Sequence, residues 1–324
     1  MPTGAPLPSA SPFHAAEIAL QQRIGAAEKM DAIGRKVIRS FMPDQHRDFF
    51  AQLPFVLVGT VDHAGDSWAT ILTGAPGFLH SPDPAVLEVA AGCAPGDPAA
   101  AGMVEGADIG MLGIELHTRR RNRVNGRMRR HGADRFSLTV EHSFGNCPKY
   151  IQLRQFRWEA GAPGAPVALA ALDARARAII EEADTFFVAS HVELEGGRRQ
   201  VDVSHRGGKP GFVRLGPQGR LTIPDFSGNR HFNTLGNILA NGHAGLLFID
   251  FERGDLLQMT GDAELILDSP EIQAFAGCER LWRFAPRRIV LRPGASPLRW
   301  RAHDEMLSPH LLATGAWAPR SSNS

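Results

Sequence analysis

The stretch from Ile223 to Glu264, IPDFSGNRHFNTLGNILANGHAGLLFIDFERGDLLQMTGDAE, decides how this chain is read. It runs as strand end, polar turn, short helix, buried strand, turn and second strand. The turn Asp225-Phe226-Ser227-Gly228-Asn229-Arg230 carries one cation, a small hydroxyl, an amide and a glycine, and it leads into a helix starting near Phe232. Backbone N–H groups at a helix start, with an arginine beside them, suit an anion such as phosphate. An ordinary polar strand–helix turn has the same composition. The rest of the chain has to separate the two readings.

Working outward, short apolar runs alternate with turn residues, and 34 glycines and 23 prolines point to a β-rich fold. A length of 324 residues favours two domains. Upstream, Ile18, Ile24, Met30, Ile33, Val37 and Ile38 predict helix from His14, and Pro43 to Leu53 predicts another; both read as packing helices without chemistry. Residues 1–12 read as a Pro/Ser/Ala-rich tail. Residues 55–62 and 67–74 predict a hairpin, 75–84 a loop and 85–90 a short strand. Residues 93–107 read as loop or short helix with Asp97-Pro98 at its start. Two strands joined by a basic turn follow over 109–128, then a strand and turn over 136–152. Residues 160–171 read as linker and 172–183 as a helix with Ala176, Ile179, Ile180 and Ala183 on one face. Strands resume over 185–193, 198–206 and 219–226, with loop and strand between at 207–215. Past the opening stretch, a helix is expected over 270–281, a strand over 288–291, then a polar tail.

The two halves read alike. Phe55-Val56-Leu57-Val58 matches Phe186-Phe187-Val188-Ala189, Pro76-Gly77-Phe78 matches Pro210-Gly211-Phe212, residues 110–115 match 245–250, and Asn125-Gly126-Arg127 matches Thr260-Gly261-Asp262. Each half has the strand order of a small antiparallel barrel, and two such units can pack face to face as a two-fold dimer packs.

Ser204-His205-Arg206-Gly207-Gly208, then GNR with FNTLGN, then the strand ending LLFID, then QMTGDAE, resemble the pyridoxamine 5′-phosphate oxidase-related flavin-binding family. In the first half SWATILTGAPGF, GIELHTRRRNRVNGR and GNCPKYIQ resemble it too, so the resemblance spans roughly residues 13–300. It implies a mainly β fold with flanking helices: two tandem FMN-binding split β-barrels, antiparallel and Greek-key, forming a pseudo-dimer. The division it implies is 1–52 tail and packing helices, 53–158 first split-barrel domain, 159–183 linker and helix, 184–300 second split-barrel domain, and 301–324 tail. FMN would lie between the barrels. Arg206, Arg230, Asn233, Thr234 and Asn237 would meet its phosphate. Ser204 and His205 would lie along the ring, and Gln258 would reach the ring's polar edge. Asn146 and Lys149, in the turn Gly145–Tyr150, would complete the site, with Lys149 offsetting charge on the reduced flavin. The family's usual Ser-Arg-Lys at the helix start aligns here with Phe232-Asn233-Thr234, so the cation must come from Arg230 or Arg206.

Other features keep two readings. HTRRRNRVNGRMRRH (117–131) holds seven arginines. It is either a solvated edge strand or an anion site, and nucleic-acid binding is disfavoured by the lack of aromatic residues there. Cys147 is either a structural thiol beside a turn proline or a redox thiol near Lys149. Thirteen histidines include no H-E-x-x-H, so no metal site is expected. Walker A, G-x-S-x-G and G-x-G-x-x-G are absent. A net charge of +1, no long apolar run and no secretory pattern lead to expectations of no nucleic acid, no membrane and a cytoplasmic setting; three scattered cysteines suggest free thiols.

The function expected is an FMN-dependent oxidoreductase acting on a small-molecule substrate, with a homodimer as a possible assembly. His205 is the candidate for handling protons near the ring, because an unshifted imidazole titrates near neutrality. The alternatives are a flavin-binding module without turnover (carrier, sensor or reductase partner), or a split barrel holding deazaflavin or haem.

Overall fold

The computed structural model describes residues 11–159, 161–302 and 308–317; residues 1–10 of the expected N-terminal tail, and 303–307 and 318–324 of the C-terminal one, lie outside them. Helices α1 (Ala15–Arg23), α2 (Ala27–Val37) and α3 (Asp44–Ala51) precede a first run of strands. These are β1 (Phe55–Val61), β2 (Ser67–Thr73), β3 (Leu79–Asp83), β4 (Val86–Val89), β5 (Asp108–Glu115), β6 (Arg120–Arg130) and β7 (Phe136–Gly145). Then come β8 (Arg154–Trp158), β9 (Val167–Leu169) and α4 (Ala174–Glu182). The second run is β10 (Thr185–Glu193), β11 (Arg199–Gly207), β12 (Arg214–Leu215), β13 (Leu221–Phe226), α5 (Asn233–Asn241), β14 (His243–Ile249), β15 (Leu256–Ile266), α6 (Pro270–Gln273) and β16 (Cys278–Arg292). The strand β17 (Leu298–Ala302) and the turn of helix α7 (Pro309–Leu312) close the described chain.

Two antiparallel sheets result, in the orders β2-β1-β5-β6-β7-β4-β3 and β11-β10-β14-β15-β16-β13-β12. The second order is the first with each strand replaced by its counterpart in the second half. Both sheets carry a bulge at the matching place, between Asn125 and Gly126 and between Thr260 and Gly261. The Pro-Gly-Phe turns also match, with Gly77 and Gly211 both at positive φ. One anchor shifts by a residue. Gly59 pairs with Gly110 and Ala189 pairs with Gly245, so Val56 corresponds to Phe186, not Phe55. Side chains alternate along a strand, so burial decides this register: Val56 and Val58 enter the first core, and Phe186 and Val188 the second.

The intervening residues Phe55, Leu57, Phe187 and Ala189 meet in a third core between the sheets, with Leu112, Leu247 and Trp300. Both faces of these central strands are therefore buried, which explains their continuous apolar runs. Among the described residues neither sheet closes into a barrel, contrary to expectation. The edge strands β2 and β11 pack instead across the other sheet, β2 on β10, β14 and β15, and β11 on β1, β5 and β6. The helix face of α4 forms as expected, with Ala176, Ile179 and Ile180 buried.

Four local expectations fail. Residues 79–83, read as loop, pair with β4 as an edge strand, where Pro82 costs no interior ladder bond. Within the linker, β9 adds to β16. The expected helix over 270–281 is one turn only; from Cys278 the chain is strand, because Leu281, Trp282 and Phe284 are buried along the ladders to β13 and β15. The described part of the C-terminal tail is docked: β17 pairs with β8, and the Trp317 indole donates to the Phe212 carbonyl at 2.8 Å. Among the described residues no helix is long and apolar enough to cross a membrane, and no group of His, Cys, Asp or Glu side chains is arranged to hold a metal.

Candidate functional site

A cleft opens where β6 and the 145–150 turn of the first half meet β11, β13 and the start of α5 of the second. It spans about 880 Å³ of space, part of it open to solvent. Its wall includes Arg121, Arg123, Asn146, Cys147, Lys149 and Tyr150 from the first half, and Ser204, His205, Arg206, Asp225, Arg230, Asn233, Thr234, Glu279 and Arg280 from the second. Two chain segments more than fifty residues apart thus converge, and each half brings cations.

The opening turn lies here. α5 begins at Asn233 after Phe232, whose φ of 62° is left-handed, and no side chain caps the helix. Arg230 and Tyr150 also hold left-handed backbone, at φ 64° each. Left-handed non-glycine residues gathered at one cleft are strain of the kind that accumulates at ligand sites. Gly207 at the end of β11 lets the two halves touch: a Cβ there would sit 2.1 Å from the Tyr150 carbonyl oxygen.

Arg123 is the tie between halves. It is buried, lies 2.8 Å from the Asp202 carboxylate, and donates to Asn233 Oδ1 at 2.7 Å, Ser204 Oγ at 2.6 Å and the Val203 carbonyl at 3.1 Å. Ser204 in turn donates to Asp202 at 3.0 Å, so its hydroxyl is already committed inside the protein. Arg206 donates to Asp225 at 2.6 Å, and Arg280 reaches the same carboxylate at 3.3 Å. Among the described residues, the side chains of Arg230 and Lys149 make no hydrogen bond or ion pair. Apart from Arg123 Nε, which lies against the Asp202 carboxylate, five wall residues carry a buried polar atom with no hydrogen-bond partner among the described residues: Asn146 Nδ2, His205 Nε2, Arg206 Nε, Thr234 Oγ1 and Arg280 Nη1. Buried polar groups are nearly always satisfied, so such a cluster points to a missing polar partner.

The electrostatics follow from burial. Desolvation, then the neighbouring Arg123, pushes the Arg121 pKa down to about 9, which leaves it cationic at neutral pH. Burial also drives His205 well below the usual histidine range, and Arg121, Arg154 and Arg206 add to this. The imidazole is therefore neutral near pH 7. The reason for singling it out as a proton carrier, an unshifted pKa, does not hold in this environment. A neutral ring with a free Nε2 remains suited to hydrogen bonding.

No protein-family model matches the sequence, and no curated protein matches it. Solved structures do. The chain is similar to flavin-binding proteins of the pyridoxamine 5′-phosphate oxidase family. A candidate pyridoxamine 5′-phosphate oxidase from Lactobacillus delbrueckii is 14% identical, the match covering 33% of this chain and 98% of that one, at a TM-score of 0.27. An FAD binding protein from Mycobacterium smegmatis is 13% identical over 40% of this chain and 98% of its own, at 0.25. The haem storage protein HutZ from Vibrio cholerae is 16% identical over 38% and 95%, at 0.26.

Of the residues named from sequence, Ser204, His205, Arg206, Arg230, Asn233, Thr234, Asn146 and Lys149 all line the cleft. Two do not. Asn237 is buried behind it, donating to Ser190 Oγ and bonded to His14 Nε2, both at 3.0 Å. Gln258 is sealed between the sheets on another strand pair, donating to the Ala69 carbonyl at 3.0 Å and Asp97 at 2.9 Å. Its place on β15 faces the first half's β2, not β11.

Sequence reasoning passed over Arg280, Asp225 as an ion-pair partner, and Glu17. The helix α1 is not mere packing. Its Glu17 is 1% exposed, accepts from the His14 amide and from Asn233 Nδ2, and is pushed up to about 8 by burial. A lone acid among apolar helix positions was the available signal.

Proposed function

We propose that this cleft binds flavin through its riboflavin 5′-phosphate unit and that the chain is a flavin-dependent oxidoreductase for a small substrate. The observation that carries the reading is the set of five partnerless buried polar atoms in a wall that also holds six cations against two carboxylates. An unpaired cation from each half, Lys149 and Arg230, and the uncapped amides at the start of α5 suit a phosphate. At an effective dielectric of about 20, one unit-charge pair about 4 Å apart is worth roughly 4 kcal/mol before desolvation. Thr234 Oγ1 and Arg280 Nη1 add donors beside them. Asn146 and His205 would meet the polar edge of the ring, and Phe226 and Phe232 would exclude water. Bound there, the flavin would supply hydride or electron transfer. In this reading the two sheets act as the two protomers of a split-barrel dimer act, with one site open.

A second reading rests on His205. A neutral buried imidazole with a free Nε2 is also an iron ligand, as in haem proteins. The absorption spectrum of the purified chain separates the two. Flavin bands that survive gel filtration support the first; a Soret band supports the second; a colourless chain that takes up neither sinks both. Arg206→Ala combined with Arg230→Ala should cost flavin affinity on the order of a hundredfold while far-UV circular dichroism stays unchanged. Retained flavin would move the phosphate to Arg121 and Lys149.

A further inference from the structure

A separate opening lies at the rim of the third core, where the start of β1 and the end of β5 meet β8 and β17. It spans about 330 Å³ of space, part of it open to solvent, and shares no wall residue with the cleft. Two of its wall residues carry donors that the fold leaves unmet. Arg154 is 7% exposed; its Nη2 donates to both Asp184 oxygens, at 2.6 and 2.7 Å, and its guanidinium stacks 4.2 Å over the Phe251 ring. Its Nη1 has no partner among the described residues. Trp300 is 3% exposed, and its indole Nε1 is likewise without a partner. Buried donors are nearly always satisfied, so the pair asks for an acceptor. A third wall residue has the opposite need. Glu115 is 7% exposed and accepts from Gln52 at 2.5 Å and Thr118 at 2.6 Å, both neutral groups. Among the described residues it makes no ion pair, and a carboxylate has lone pairs for about two more donors.

We infer that this opening is a second ligand site, for an apolar α-amino acid: its carboxylate at Arg154 Nη1 and Trp300 Nε1, its ammonium at Glu115, and its side chain against Phe55, Ile114 and Phe156. The inference does not depend on the flavin reading. A simple carboxylate would meet the two donors but bring a second negative charge beside Glu115, and the Arg154 charge is already offset by Asp184. A simple amine would pair with Glu115 and leave both donors unmet. A zwitterion meets both ends at once and adds no net charge. Phe55, Ile114 and Leu116 are buried and Phe156 packs against them, so an apolar side chain placed there removes hydrocarbon from water. The donors are held before any ligand arrives. Asp184 and Phe251 fix Arg154, and the Trp300 ring makes edge contacts with Phe55 at 5.6 Å and Phe251 at 5.2 Å. Binding therefore costs little further ordering.

Isothermal titration calorimetry of the full chain with L-leucine, isocaproate and isoamylamine tests this; the last two are leucine without its ammonium and without its carboxylate. L-leucine should bind with a Kd below about 1 mM, and each of the others at least about tenfold more weakly. Trp300→Phe keeps the ring contacts and removes only the N–H, and it should weaken leucine binding about fivefold. Glu115→Gln should erase the preference for leucine over isocaproate. The Trp300 variant keeps the test valid should the Glu115 variant fail to fold. No leucine binding at about 1 mM, isocaproate or isoamylamine binding as tightly as leucine, or leucine affinity unmoved in folded Trp300→Phe would each overturn the inference. The flavin reading stands or falls separately, by the spectrum of the cleft's ligand.

Discussion

The cleft has a counterpart in the same molecule, and the two differ in what fills them. By strand register, Arg123 on β6 corresponds to Gln258 on β15, Ser204 on β11 to Thr70 on β2, and Asn146 after β7 to Arg292 at the end of β16. Arg123 donates to the Val203 carbonyl at 3.1 Å, and Gln258 donates to the Ala69 carbonyl at 3.0 Å, a matching bond at matching places. On the Gln258 side the chain supplies its own anion. Asp97, at the start of the short 3-10 turn Pro98–Gly102, accepts from Gln258 at 2.9 Å, from Arg292 at 2.8 Å and from Thr70. All four side chains are buried. On the Arg123 side, five buried polar atoms stay without a partner and two cations are unpaired. A groove whose donors are met from within is closed; one whose donors are unmet has room for an outside partner, as the function proposed above requires.

The strongest way to break this contrast is Asp97→Ala. It would leave Arg292 buried without its carboxylate and should cost about 3–5 kcal/mol in urea unfolding. Arg292→Met in the same chain should recover most of that loss. A cost under about 1 kcal/mol would mean the closed groove is not held by this pair. Next in size is an exchange of polar for apolar atoms on each side. Gln258→Leu strands Asp97 and Arg292 contacts and should cost about 1–3 kcal/mol of stability. Thr234→Val removes an atom that has no internal partner. Its melting point should hold, while flavin affinity drops about fivefold, equivalent to roughly 1 kcal/mol. Equal stability losses would erase the distinction between the grooves.

The thiols sharpen it further. Cys147 stands half-exposed in the open cleft, whereas burial pushes the Cys93 thiol far up, and Cys278 up to about 11. Iodoacetamide at pH 8 should label Cys147 first, as peptide mass mapping would show, and saturating flavin should slow that labelling. Unchanged labelling would put the ligand outside the cleft. The smallest effect concerns Glu17, whose carboxyl is raised to about 8 in the folded chain. The native state then holds a proton that the unfolded chain has released between about pH 4.5 and 8, so this group lowers stability as pH rises through that window. Glu17→Gln should match the parent melting point near pH 4 and exceed it by a growing margin toward pH 8. A gap that shrinks with pH would refute the burial account.

The contrast also shows how much could be read in advance. The turn with Arg230, the Ser204–Arg206 strand and the Asn146–Lys149 turn were visible because cations, hydroxyls and glycines stood at strand ends, where local pattern speaks. Gln258 was named only through the family resemblance, and which strand it faces across the sheets is set by packing: β15 lies against β2. Arg280 was hidden in a segment whose apolar spacing fits a helix as well as a strand.

By itself, the sequence determined the strand-rich halves, their repeated order, the helices around them and the anion-suited turn at Asp225–Arg230. These rest on periodicity and turn chemistry, which act over a few residues. Only the tertiary structure decided that the sheets of one chain pack on each other without closing, that Arg121 and Arg123 join the turn from over a hundred residues upstream, and that Asp97 fills the second groove. Those outcomes depend on which apolar faces bury each other and on which buried charges find partners, and both are settled by contacts between segments far apart in the chain.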